Sequence, residues 1–188
     1  TSCADEEKVY TNSENVVSEK IPHVLDATTG ICACGYTARA CVIVDEVTTY
    51  YVTLNEAVEA CGNYTAEDKA LLKLLDNVAL GEAYLIVASG VFTVDLNGFE
   101  LSNTDIYGAI YVDDGANVTV TDSDPNGKGK ISGKDGLEVS GGTLNILGGT
   151  ITGSSDGVYV YSGTLDIDGG TITGNSYGVT IDRGTLNI

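Results

Sequence analysis

A chain of 188 residues with 43% apolar side chains can build one substantial core plus a small appendage, which excludes a disordered polypeptide. Its 24 glycines, 2 prolines and 11 tyrosines, with no methionine or tryptophan, describe many short strands and turns, not a bundle of helices. A formal charge of −18, with Arg39 and Arg183 as the two arginines, excludes nucleic acid and anionic membrane surfaces as partners and reads as a solvated, self-repelling surface.

No run of about 18 apolar residues occurs, so membrane insertion is not expected. The sequence opens on Thr1, not on methionine, and Ile188 falls in the middle of a repeat. The expectation is a processed polypeptide that continues past Ile188.

Residues 1–44 read as a small cysteine- and histidine-containing module, polar and with little periodicity. All five cysteines, Cys3, Cys32, Cys34, Cys41 and Cys61, lie in the first third of the chain. In an oxidising compartment they would form up to two disulfides and leave one thiol; in a reducing one they would point to metal or redox chemistry. His23, Cys32 and Cys34 are the candidate metal ligands, because imidazole and thiolate suit a tetrahedral zinc site. A zinc knuckle usually spaces its cysteines by two residues, whereas Ala33 alone separates these, and Cys3 or Cys41 would have to complete the set. For an extracellular protein, disulfides with a surface histidine are the favoured expectation, with no cofactor assigned.

Residues 45–88 read as an α/β cap. The β-branched and aromatic stretches Ala40–Val44 and Thr48–Thr53 predict strands. Leu54, Ala57, Val58 and Cys61 share one face at helical spacing, so a helix is expected over 54–61 with Gly62 as its stop. Leu71–Leu75 is read as a strand because Asp76-Asn77 ends it quickly, and Ala83–Val87 as another leading into the remainder.

From residue 89 to 188 the chain repeats. Leu144, Leu165 and Leu186 are spaced by 21, as are Ile146, Ile167 and Ile188. A period of this size with short alternating runs marks a solenoid whose coils bury their apolar edges by stacking on neighbours. Aligning the coils puts Phe92, Val118, Leu144, Leu165 and Leu186 in one inward column, with steps of 26, 26, 21 and 21 residues. Leu101, Ile131, Ile151 and Ile172 form a second column. A third strand of each coil carries Ile110 and Val112, Leu137 and Val139, Val158 and Val160, Val179 and Ile181. Gly148-Gly149, Gly153, Gly169-Gly170 and Gly174 are placed at corners where positive φ is expected. The fold class is therefore all-β, a parallel β-helix solenoid of about 21-residue coils.

The ordered set Thr49–Val58, Leu74–Val78 and Thr93–Ser102 resembles the opening of right-handed, pectate-lyase-like parallel β-helix domains in secreted or wall-attached surface proteins of Gram-positive bacteria. The likeness spans about Thr49 to Ile188. It implies a right-handed coil and a secreted or cell-surface address, and no particular reaction.

Alternation along each strand turns polar residues onto three outer faces. The first shows Thr93, Thr119, Asn145, Asp166 and Asn187, with Asp95 and Asp168 beside them. The second shows Glu100, Lys130 and rows of serine and threonine, read as hydroxyl ladders. The third shows Tyr111, Glu138 and Tyr159, flanked by Tyr107, Tyr161 and Tyr177. Tyr111, Glu138, Tyr159 and Tyr161 are the candidate binding residues, since flat rings beside a carboxylate stack on sugars or anchor a protein at low entropic cost. The function expected is a non-enzymatic adhesion or structural module presenting a rigid β-helix to a host protein, glycan or neighbouring cell. A polysaccharide lyase or glycoside hydrolase using Asp166 and Asp168 is the alternative, and a filament or stalk subunit self-associating through open coil ends is the second.

Overall fold

The computed structural model describes residues 23–81, 84–104 and 108–188 in full, and the backbone of 10–11 and 16–17. Cys3, Ala83 and Tyr107 lie outside the described residues. Near the start, β1 (Tyr10–Thr11) and β2 (Val16–Val17) pair antiparallel. Next come the hairpin β3 (Ala40–Val44) and β4 (Val47–Tyr51), the helix α1 (Leu54–Cys61), and the strands β5 (Ala70–Leu74), β6 (Val78–Ala79) and β7 (Leu85–Val87). β8 (Gly90–Asp95), β9 (Glu100–Ser102) and β10 (Ile110–Asp113) follow, then β11 (Ala116–Thr121), β12 (Lys130–Gly133) and β13 (Leu137–Ile146). The chain finishes with β14 (Thr150–Gly153), β15 (Asp156–Ile167), β16 (Thr171–Gly174) and β17 (Tyr177–Asn187).

These strands wind into a parallel β-solenoid of about 5 turns. One face stacks β5, β8, β11 and the second halves of β13, β15 and β17. A second stacks β6, β9, β12, β14 and β16. The third stacks β7, β10 and the first halves of β13, β15 and β17. β5, β6 and β7 pair in parallel register with β8, β9 and β10, so residues 70–87 make the first coil, with Ala70 opposite Phe92 and Val78 opposite Leu101.

Register fixes the core. Phe92, Val118, Leu144, Leu165 and Leu186 stand in one column and Leu101, Ile131, Ile151 and Ile172 in another. Each inward aliphatic contributes roughly 1.5–3 kcal/mol when fully buried, and full burial needs a coil on both sides. Leu165 is 0% exposed between two neighbours, whereas Leu186, on the last coil, is 37% exposed.

The other end is closed by the cap. β3 runs antiparallel to β5 and extends the first face, while α1 lays Leu54, Ala57, Val58 and Cys61 against the core strands. A capping box starts the helix: Thr53 Oγ1 accepts from Glu56 N–H at 3.3 Å and Thr53 N–H donates to Glu56 Oε2 at 3.1 Å. Gly62 ends it with φ −59°, so the stop is not a left-handed one. The space limits this residue instead, since a Cβ there would stand 3.1 Å from Ser89 Oγ.

Corner glycines serve two separate needs. Gly149 and Gly170 take positive φ (85° and 80°), as the bend requires. Gly153 and Gly174 do not; a Cβ on either would run into the carbonyl oxygen of Asp156 or Tyr177, so close backbone packing explains them.

Candidate functional site

Residues two apart on a strand share a face, and parallel pairing stacks equivalent positions about 4.8 Å apart. On the third face this brings Ile86, Tyr111, Glu138, Tyr159 and Thr180 into one outward column. Tyr111, Glu138, Tyr159 and Tyr161 line a single groove of about 310 Å³ with Val139 and Ser140. All four candidate binding residues are thus together. Tyr111 and Tyr159 sit two coils apart, about 10 Å, with Glu138 between them.

The groove has supports that the sequence does not announce. Tyr84 leans on Tyr111 with ring centroids 5.6 Å apart, and the Arg183 guanidinium lies 5.4 Å from the Tyr161 ring centroid. Glu138 Oε1 accepts from Gly108 N–H at 2.7 Å. Burial pushes the Glu138 carboxyl above the usual range, the Gly108 N–H opposes that shift, and nearby Asp135 adds to it. No periodicity could reveal this, because Gly108 reaches Glu138 only after the chain has turned a full coil.

The remaining faces are occupied by internal ladders. Asn145 Nδ2 donates to Asn117 Oδ1 at 2.9 Å, and Asn187 Nδ2 donates to Asp166 Oδ1. Asp166 is therefore a rung of an amide and carboxylate ladder. On the second face Lys130 pairs with Glu100 at 2.8 Å, and Thr173 Oγ1 donates to Thr152 Oγ1 at 3.4 Å.

Asp95 corrects the reading that placed it outside with Thr93. It is 3% exposed, and its Oδ1 accepts from Asn97 N–H at 2.9 Å and Ser123 N–H at 2.8 Å. Alternation fails there because β8 ends at Asp95 and the chain turns a corner. Another unforeseen feature is a groove of about 410 Å³ where α1 crosses β7, lined by Asn55, Val58, Glu59, Tyr84, Ile86 and Ser89 among others. It arises from the placement of the helix, which leaves no mark on local sequence.

In the N-terminal module, the donor atoms of His23, Cys32 and Cys34 also converge, within 4.8 Å of one another. Among the described residues no disulfide joins Cys32, Cys34, Cys41 and Cys61. Burial pushes the Cys61 thiol up to about 12, which makes it inert. No described helix is long and apolar enough to cross a membrane.

Comparison with known protein families, curated proteins and solved structures gives no match. The functional reading therefore comes from the geometry of the third face.

Proposed function

We propose that this chain is a non-enzymatic binding module of a secreted or cell-surface protein, whose rigid solenoid offers the tyrosine groove to a neutral glycan or to a protein segment. The observation that carries this reading is the convergence of Tyr111, Glu138, Tyr159 and Tyr161 on one groove. Aromatic platforms about 10 Å apart along a flat sheet suit an extended ligand that stacks ring by ring. The charge of −18 selects against acidic polysaccharides and acidic proteins. A neutral sugar chain with hydroxyls for Glu138 is the favoured occupant. The resemblance to surface β-helix domains of Gram-positive bacteria fits a display role of this kind.

Isothermal titration against neutral and acidic oligosaccharides, with a panel of extracellular proteins beside them, tests the proposal. The double variant Tyr111→Ala, Tyr159→Ala is expected to weaken binding by about tenfold or more. Its melting temperature should fall only modestly, since both rings are half-buried on the outer face and lie outside the inward columns that hold the coils together. Unchanged binding in that variant would remove the groove from consideration.

One observation favours a polysaccharide-cleaving enzyme as the second reading. A carboxyl raised by burial, as at Glu138, is the form a general acid takes. Glycosidic hydrolysis requires a second carboxylate across the bond, and Asp166 is tied into its ladder on another face. Turnover of any neutral polysaccharide that disappears in Glu138→Gln while binding persists would establish the enzyme over the binding module.

A further inference from the structure

His23, Cys32 and Cys34 come from a segment whose composition alone gives no reason for them to meet. Their donor atoms nevertheless lie within 4.8 Å of one another, and Cys34 Sγ is 3.4 Å from His23 Nδ1. With Zn–S near 2.3 Å and Zn–N near 2.0–2.1 Å, a tetrahedral ion holds sulfur about 3.8 Å from sulfur and about 3.6 Å from nitrogen. The Cys34–His23 separation already meets that edge, and closing the others from at most 4.8 Å takes a contraction of about 1 Å or less. We propose that these three side chains bind a divalent cation of the zinc class, leaving one coordination position for a further donor.

The local backbone explains the convergence. Gly35 N–H donates to Cys32 O at 2.8 Å and Cys32 N–H to Tyr36 O at 2.7 Å, which folds 32–36 into a compact turn. Gly35 holds φ at 89°, a value that favours glycine at the end of such a turn. Folding the segment this way lets cysteines separated by Ala33 alone aim at one point, so a two-residue spacer is not required. The imidazole is set by a stack on Tyr36, with centroids 3.9 Å apart and planes 18° from parallel. Tyr36 in turn donates its hydroxyl to Val52 O at 3.1 Å. This support of an imidazole by its surroundings is what a metal ligand needs to keep its orientation.

Charge favours the same conclusion. Two thiolates and a neutral imidazole carry a charge of about −2, which a divalent ion cancels. Thiolate and imidazole together select zinc-like ions over calcium or magnesium, whose ligands are oxygens. The ion would also clamp the module to the cap. Tyr50 donates its hydroxyl to Thr28 O at 3.2 Å, and Ala38 N–H donates to Gly30 O at 2.8 Å, so the loop already rests on the β3–β4 hairpin.

The test is a cobalt titration of the whole chain, purified under reducing conditions and stripped of metal. One Co²⁺ per chain should bind, with thiolate-to-cobalt charge transfer and the strong visible bands of tetrahedral cobalt. Zn²⁺ should bleach both. Cys34→Ser, at an exposed position that leaves folding intact, should lose most of the charge-transfer absorption, as should Cys32→Ser, while Cys41→Ala keeps it. Zinc should raise the melting temperature of the unaltered chain and leave that of Cys34→Ser unchanged. Absence of cobalt–thiolate absorption in the reduced chain, or its persistence in both serine variants, would overturn the assignment. So would mass mapping of the protein as isolated that finds Cys32 and Cys34 consumed in disulfides.

Discussion

Asp95 shows how a single side chain can control a corner of the coil. Burial alone would raise its carboxyl, but hydrogen bonds from Ser123 and Asn97, with Lys73 Nζ 3.2 Å away, outweigh that and hold it below the usual carboxylate range. A carboxyl depressed in the folded state stabilises the protein above its unfolded value of 3.8. That contribution fades as pH falls through the depressed folded value. Asp95→Asn keeps one carbonyl oxygen for the two N–H groups but puts an amide NH₂ in place of the oxygen that faces Lys73, which removes the ion pair and sets donor against donor. The variant should lose roughly 1–3 kcal/mol at neutral pH. The difference between the two proteins should shrink as the solution is acidified below about pH 4. Melting curves across that pH range measure it; a difference that stays constant with pH would show that the charge of Asp95 contributes nothing.

Among the elements, α1 is the clearest case of sequence dictating structure. Leu54, Ala57, Val58 and Cys61 recur at helical spacing, and those same residues are the buried ones. Its start is set by the reciprocal Thr53 and Glu56 bonds, so Thr53→Ala should destabilise the protein by about 1 kcal/mol, read as a lower urea midpoint with unchanged slope. A change in slope would mean that the cap detaches separately from the coils. The columns of the later coils were equally legible, because Leu144, Leu165 and Leu186 keep a strict spacing of 21. The first coil was not. β6 and β7 are 2 and 3 residues long, and Ala70 occupies the place of a large aliphatic, so β5, β6 and β7 lack the repeat that betrays the others. The tyrosine groove could be read from strand alternation together with the period. The hydrogen bond to Glu138 could not, since its donor is a backbone N–H of the preceding coil.

For the whole molecule, stability should follow position along the solenoid axis, because each coil touches only its neighbours. Leu165 and Leu186 make a matched pair: the same residue, the same column, one coil apart, at 0% and 37% exposure. Removing Leu165 opens a cavity between Leu144 and Leu186 that flanking coils cannot fill, so Leu165→Ala should cost about 3–5 kcal/mol. In a chain of residues 1–188 Leu186 stacks on Leu165 alone and is 37% exposed, so there Leu186→Ala should cost less than half as much. Hydrogen exchange should agree, with amides of β17 opening at lower free energy than those of β13. Equal penalties for the two alanine variants, with uniform protection from β13 to β17, would mean that the coils unfold as one indivisible unit. The nearest-neighbour stacking that makes this sequence a solenoid would then be too weakly local to describe how it comes apart.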